Sequence, residues 1–306
     1  MRSVVVREFG GPEVLEVAEV PVPGPGAGQV RIAVAGAGVN PVDAQTRSGA
    51  LTAGGLLPPR PVVGLGWDVS GTVDAVGAGV GNFAVGDRVL ALSDRIALSS
   101  KAQADFVVLD ADAVAHCPGD VDLIDAATLP LGALTAAQAL DLTGRPDAGT
   151  LLVTGAAGAV GGYAAELAVR AGLRVIAVAG PRDEEWLRTL GVEAVVPRDA
   201  DLADSVRALV PGGVSAAIDA ANLGAVTLDA VRGGGVFVAV LGGGPVPLRG
   251  VRVEHVWIRA DGPRLESLAA AHLRLRVADV LPLTDVAGAH RRLEAGGLRG
   301  RLVLRP

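Results

Sequence analysis

The sequence has a single cysteine, Cys117, a single lysine, Lys101, and a single tyrosine, Tyr163, and aromatic residues make up only 3% of its 306 positions. One cysteine excludes an intramolecular disulfide framework and any zinc site built from several cysteines. A lone buried cysteine is ordinarily a small core residue. Arginine stands at every other basic position apart from four histidines, and this scarcity of lysine reads as codon bias rather than function. No stretch of roughly 18 apolar residues lacks a charge, so no membrane span is expected. The opening "MRSVVVREFGGPEVLEV" has an apolar run only from Val4 to Val6, with acids close behind. That is not the pattern of a signal peptide, and a cytoplasmic location is the simplest expectation. The formal net charge is −6, without the basic footprint of a nucleic-acid or anionic-membrane binder.

Half of the residues are hydrophobic, enough for a large core, and the length suits about two domains at ~150 residues each. Residues 1 to about 120 read as short strands separated by Gly/Pro turns: "QVRIAVAG", "DVSGTVDAVG", "GDRVLAL" and "ADFVVLDA" are strand candidates, while "PVPGPGAGQ" and "LTAGGLLPPRP" read as loops. Beyond His116 the pattern changes. In "DVDLIDAATLP", Asp122 offers a helix cap. From Thr150 the chain alternates. "TLLVTG" is followed by the helix "AVGGYAAELAVRAG", "RVIAVAG" by "PRDEEWLRTLG", and "EAVV" by "ADLADSVRALV"; "SAAIDAA" and "GGVFVAVLGG" are further strands. This alternation predicts βαβ units and a doubly wound parallel sheet, whose strands are nearly all apolar because both faces are covered. After residue 261 come the helix "GPRLESLAAAHLRLR", the strand "VADVLPL", the helix "TDVAGAHRRLEAG" and the strand "GRLVLRP". The expected architecture is therefore α/β: a mostly-β domain over 1–121 and 262–306, with a Rossmann domain inserted at 122–261.

Between a buried strand and a helix lies "TGAAGAVGG", residues 154–162. Its spacing is Ala156-x-Gly158-x-x-Gly161, with Gly155 just before. A dinucleotide turn needs small residues there, so that backbone N–H groups reach a pyrophosphate and the helix packs close to the strand. The helix N-terminus adds partial positive charge. The alternative is a tight βα turn with no ligand. The next strand bears on cofactor choice. NAD enzymes place an acid at its end to hold the ribose diol, whereas here Ala179 and Gly180 stand there and Arg182 follows. A missing acid and a nearby arginine favour a 2′-phosphate, hence NADPH. A solvated arginine at the helix start is the alternative.

With these residues in view, the chain resembles the zinc-independent quinone oxidoreductase (zeta-crystallin-like) branch of the medium-chain dehydrogenase/reductase superfamily. The resemblance rests on "REFGGPEVLEVAEVPVPGPGAGQVRIAVAGAGVNPVD", "GLGWDVSGTVDAVGAGVGNFAVGDRV", "AATLPLGALTAAQAL", "VTGAAGAVGGYAAELA" and "GRLVL", in the family's order. It implies a GroES-like catalytic domain with an inserted Rossmann domain, a homodimer, and NADPH-dependent hydride transfer to a quinone or α,β-unsaturated carbonyl. Zinc-dependent relatives carry cysteine where Asn40 stands and His-Glu where Trp67 and Asp68 stand, and they have a four-cysteine lobe, so no metal is expected. The resemblance places Asn40 and Asp43 at the nicotinamide and substrate, with Gln45 where many relatives have Tyr or Lys. It places Thr135, Leu241 and Gly242 near the nicotinamide, and Gly155, Ala156, Gly158, Ala159, Val160 and Gly161 at the pyrophosphate. Gly180 and Arg182 fall by the ribose, and Arg198 at the adenine, where relatives stack a tyrosine. Asn and Asp also bond backbone in turns, which is the other reading of Asn40 and Asp43, and Thr135 suits a helix interior. Tyr163 lies on the first Rossmann helix, so an obvious proton donor is missing. Two other functions stay open: an enoyl reductase dedicated to a polyketide-type intermediate, and a non-catalytic NADPH-binding module.

Overall fold

A computed structural model describes residues 1–144 and 149–306. They form two compact units, one of Met1–Leu134 with Arg259–Pro306 and one of Thr135–Ile258. The division between Leu134 and Thr135 falls inside a helix, Pro130–Leu142.

The first unit opens with β1 (Arg2–Val6), β2 (Leu15–Glu19) and β3 (Gln29–Val39). Two short helices follow, α1 (Pro41–Ser48) and α2 (Ala50–Ala53), the latter in a stretch whose glycines and prolines predict loop. Then come β4 (Val63–Gly64), β5 (Asp68–Val76), β6 (Arg88–Leu92), β7 (Phe106–Asp110) and β8 (Val114–His116). α3 (Leu123–Ala126) is capped as expected, the Asp122 carboxylate accepting from the Ile124 and Asp125 N–H groups. β2, β1 and β4 make a small sheet, and β3 is the hub of a larger one, antiparallel to both β5 and β7. Val30, Ile32, Val69, Val73 and Val89, on alternating positions of β3, β5 and β6, are at most 1% exposed and form its core.

α4 (Pro130–Leu142) carries the chain into the second unit. There β9 (Thr150–Thr154), α5 (Ala159–Arg170), β10 (Arg174–Ala179), α6 (Glu184–Thr189), β11 (Ala194–Pro197), α7 (Leu202–Leu209), β12 (Val214–Asp219), α8 (Ala225–Ala230), β13 (Val231–Ala239) and β14 (Arg252–His255) follow in turn. The six strands are all parallel and lie in the order β11-β10-β9-β12-β13-β14. This is the 3-2-1-4-5-6 order of a doubly wound dinucleotide fold. β9 is buried at all five positions, as a strand covered on both faces must be. Pro181 begins a 3-10 turn ahead of α6 rather than the α-helix itself.

The chain returns to the first unit with α9 (Gly262–Ala270), β15 (Val277–Pro282), α10 (Val286–Ala295) and β16 (Arg301–Arg305). α9 is shorter than its apolar pattern predicts, because His272 takes a left-handed φ of 47° and the chain turns away. β16 pairs antiparallel with the end of β3, Leu302 opposite Val39. α1 and α10 are tied by Arg47, which is buried. It donates to the Gly10 carbonyl (3.1 Å), to Nδ1 of the fully buried His290 (3.1 Å) and to Glu294. Among the described residues no helix is long and apolar enough to cross a membrane.

Candidate functional site

In the second unit, the residues expected at a dinucleotide gather at the carboxyl ends of the parallel strands. The turn from β9 to α5 carries Gly155, Ala156, Gly158, Ala159, Val160 and Gly161. Gly155 has φ of 61°, which favours glycine. A Cβ on Gly161 would lie 2.3 Å from the Gly155 carbonyl oxygen, so helix and turn touch backbone to backbone. Gly158 is the N-cap of α5, and the first-turn N–H groups beyond it have no acceptor within the helix. This is the cradle a pyrophosphate requires, and the residues present fit a dinucleotide. Asp219, at the end of β12, fastens the neighbouring turn: it accepts from Thr154 Oγ1 (2.5 Å) and from the Leu223 and Gly224 N–H groups (3.1 and 2.7 Å). Gly242, left-handed at φ 65°, packs against Asn222, and Leu241 beside it is half-buried. Thr135 is buried in α4.

Two arginines flank the end of β10. Arg198 follows Pro197, which pairs with Ala179. Its guanidinium lies against Gly180, where a Cβ would be 2.8 Å from Nη2. Arg182 stands on the 3-10 turn next to Gly180. Both are exposed and neither forms an ion pair or hydrogen bond among the described residues. Arg198 therefore sits beside Gly180, at the end of β10.

In the first unit, Asn40, Asp43 and Asp68 form a buried polar cluster at the end of β3. All three are 0% exposed. Asn40 Nδ2 donates to Asp68 Oδ2 (2.8 Å), and the Leu131 N–H donates to Asp68 Oδ1 (2.5 Å). Asp43 accepts from the N–H groups of Asn40 (2.8 Å) and Gly66 (2.9 Å), one on each oxygen. Of the two readings of Asp43, the geometry shows backbone fastening: its carboxylate clamps the start of α1 to the Gly66 turn. Burial pushes Asp43 up to about 6, opposed by these two N–H groups and by the charge of Lys101. Asp68 is also raised by burial, with Arg301 the largest opposing influence. Asn40 has one amide hydrogen committed to Asp68, while Oδ1 has no partner. Gln45 is half-buried on α1, its side chain without a hydrogen bond among the described residues.

A zinc ion does not fit here. Asn40 supplies an amide, both Asp68 oxygens are occupied, and no group of three or more His, Cys, Asp or Glu among the described residues has the placement to hold a metal. Sequence reading passed over Lys101. It is 2% exposed, with its ammonium 4.1 Å from the centre of the Trp67 ring. The signal was available, since this is the only lysine in the chain.

A mixed-sheet unit and a six-stranded parallel sheet of Rossmann order define the class of medium-chain dehydrogenases/reductases. Comparison with known proteins agrees. Residues 26–119 match the family "Alcohol dehydrogenase GroES-like domain", and residues 190–304 match "Zinc-binding dehydrogenase". The chain is 31% identical to a quinone oxidoreductase of Sus scrofa over 99% of its own length and 97% of that protein. It is 36% identical to a chloroplast envelope quinone oxidoreductase homolog of Arabidopsis thaliana, over 61% of this chain and 57% of the plant protein. Matches of this second kind span just over half the length of the curated relative. A mycobacterial protein solved in complex with NADPH superposes over the whole of both chains with a TM-score of 0.83 at 30% identity. The chain belongs to the quinone oxidoreductase branch of the medium-chain dehydrogenase/reductase superfamily.

Proposed function

We propose that this chain is an NADPH-dependent oxidoreductase that reduces a quinone or an α,β-unsaturated carbonyl without zinc, and that it works as a homodimer. The observation that carries the cofactor reading is the pair of unpaired arginines, Arg182 and Arg198, at the strand end where Gly180 replaces an acid. Two guanidinium groups and no carboxylate favour a 2′-phosphate over a bare ribose diol. NADPH bound in this cradle supplies a hydride. Gly155 to Gly161 would hold its pyrophosphate, and Thr135, Leu241 and Gly242 would border its nicotinamide. The names of the relatives support a quinone as acceptor, and so does the chemistry of the buried cluster. With no zinc donor set at Asn40 and Asp68, a plain carbonyl lacks a Lewis acid to polarise it. A conjugated acceptor spreads the incoming charge onto a distant oxygen. Asn40 Oδ1 is an acceptor without a partner among the described residues, and Asp43 keeps the Asn40 turn in place.

The test combines binding and turnover. NADPH should bind more tightly than NADH by fluorescence titration. Arg182→Ala and Arg198→Ala should each weaken NADPH by about 1.5–3 kcal/mol, the size of a charge-assisted hydrogen bond, with little effect on NADH. A quinone and an enone should be reduced faster than a matched saturated ketone. Equal affinity for both cofactors would sink the assignment of the arginines. Faster reduction of the saturated ketone would refute the acceptor class, and NADPH binding without turnover of any of the three would favour a dedicated enoyl reductase or a binding module.

A further inference from the structure

Three buried side-chain atoms around the segment Gly64–Asp68 lack hydrogen-bond partners among the described residues: Asn40 Oδ1, Ser93 Oγ and Gln103 Oε1. Beside them lies Lys101, a residue 2% exposed whose ammonium makes neither a hydrogen bond nor an ion pair among the described residues. Their backbones and side chains interlock. The Ser93 N–H donates to the Trp67 carbonyl (2.7 Å) and the Gln103 N–H to the Leu65 carbonyl (2.9 Å), while Gln103 Nε2 donates to the Gly38 carbonyl (3.3 Å). Gly38 in turn abuts Asp68, which holds Asn40. Buried polar groups in folded proteins are nearly always paired, and a cluster of orphans points to something that pairs them in the working state.

Lys101 is the exceptional member. A Cβ on Gly64 would lie 2.7 Å from the Lys101 backbone nitrogen, and one on Gly66 would lie 2.3 Å from the Gln103 backbone nitrogen. The strand end at 63–66 and the segment at 100–103 are therefore pressed backbone to backbone, and the lysine enters from a fixed base. Its stem packs where an apolar side chain would serve at lower cost, since an unpaired buried charge is unfavourable. Two carboxylates act on it, Asp43 of α1 and Asp94 in the loop after β6. Neither forms an ion pair with it among the described residues, and each already accepts a backbone hydrogen bond. Asp43 is occupied by the Asn40 and Gly66 N–H groups, and Asp94 accepts from the Ala260 N–H (2.7 Å). Asp68 and Arg301 lie one step further out and offset one another. Burial outweighs both acids and brings Lys101 down to about 8. A proton donor near neutral pH is what general acid catalysis requires.

We propose that Lys101 is the catalytic acid of this chain, its ammonium donating a hydrogen bond to the carbonyl oxygen of the conjugated acceptor and then passing that oxygen a proton. The assignment rests on the reductase reading given above. As the conjugated carbon takes up hydride, the carbonyl π pair moves onto oxygen. That oxygen takes a proton from Nζ, giving from a quinone the keto tautomer that enolises to the hydroquinone, the ring carbon losing a proton to water as the second oxygen gains one, or from an enone an enol that reverts to the saturated ketone. Lys101 is left as a neutral amine and regains its proton from water. One hydride and one proton are added, so the acceptor gains two electrons and the balance closes. The flexible four-carbon stem lets the ammonium leave the Trp67 ring and meet the oxygen. Lys101 thus fills the gap left by the absence of a tyrosine or lysine at position 45.

A single lysine makes the test direct. Full-length protein labelled with [13Cε]lysine gives one lysine signal. That signal should titrate near pH 8, well below an ordinary lysine, and should shift when 4-nitrophenolate is added as a stand-in for the product oxyanion. Quinone reduction should lose kcat as pH rises through the same midpoint. Lys101→Met should lower kcat about 100-fold, abolish that alkaline limb and leave NADPH affinity by fluorescence unchanged. Lys101→Arg keeps the charge but holds its proton too tightly and should stay slow. Lys101→Gln serves if the methionine variant fails to fold. A signal that titrates like free lysine and ignores 4-nitrophenolate overturns the proposal, as does a folded variant with normal kcat and an intact alkaline limb. If the wild type reduces neither quinone nor enone, the reductase reading falls, and the response of the lysine signal to 4-nitrophenolate still decides whether Lys101 faces a ligand.

Discussion

His290 lies at 0% exposure with its Nδ1 facing Arg47, and burial, helped by the arginine's charge, holds it down to about 4. An unfolded histidine titrates near ~6.5. As pH falls below that value the unfolded chain takes up a proton that the folded chain refuses, so stability drops between about 6.5 and 4 and then levels off. The full contribution, on the order of 3 kcal/mol, is present above pH 6.5. Asp43 runs the other way. Raised to about 6, it keeps its proton longer when folded, so stability falls as pH rises through the window from about 4 to 6. The His290 share is isolated by difference. Urea unfolding of the wild type and of His290→Gln from pH 7.5 to 4 should show the variant losing less stability on acidification, and parallel curves would remove His290 from the account. At this scale the sequence was informative about residue type and silent about partners. It marked Asn40 and Asp43 through "NPVD" and left open whether they face ligand or backbone. Burial and two N–H contacts to Asp43 settled its geometry, and these come from Gly66 as well as from its own turn. Lys101 was visible as the only lysine, yet nothing in its neighbours "SSKAQ" indicates burial over Trp67.

The turn from β9 to α5 makes a prediction at the scale of the element. Its two later glycines have different duties. At Gly161 a Cβ would meet the Gly155 carbonyl carbon and oxygen at 2.7 and 2.3 Å, which is backbone and cannot yield. At Gly158 a Cβ would meet only the Gly155 oxygen, at 3.1 Å. Gly161→Ala should therefore cost about 2 kcal/mol of stability. Gly158→Ala should fold almost normally and lose about tenfold in NADPH affinity, because its methyl occupies phosphate space. Melting temperatures and fluorescence titrations of the two variants check this; a reversed pattern would mean the turn has no ligand. The alternation of strands and helices from Thr150 onward was legible because fully apolar runs of five or six residues and capped helices repeat at regular spacing. α2 and the early end of α9 were not. One is a single helical turn amid glycines, and the other stops at a left-handed His272 that no local pattern requires.

β14 is hydrogen-bonded on one side, to β13, and among the described residues it is the outer strand of the six-stranded sheet. Beyond it Trp257 is 69% exposed, and Val246 and Leu248 ahead of it are 74% and 53% exposed. An open edge flanked by large apolar side chains is an aggregation hazard unless it is covered, and a second copy of the chain would cover it. The protein should be a dimer by light scattering at micromolar concentration, and Trp257→Glu should shift it toward monomer. A monomeric wild type would count against this assembly. For the molecule as a whole, sequence alone determined the class of fold and the location of the glycine-rich turn between β9 and α5. Both depend on local, periodic properties: which residues are apolar, at what spacing, and where glycine permits backbone contact. Tertiary structure alone decided that the Arg198 guanidinium lies against Gly180, that Asp43 fastens the Asn40 and Gly66 N–H groups, and that Lys101 sits unpaired over Trp67. Each of these depends on burial and on partners distant in the chain, and periodicity carries no record of either.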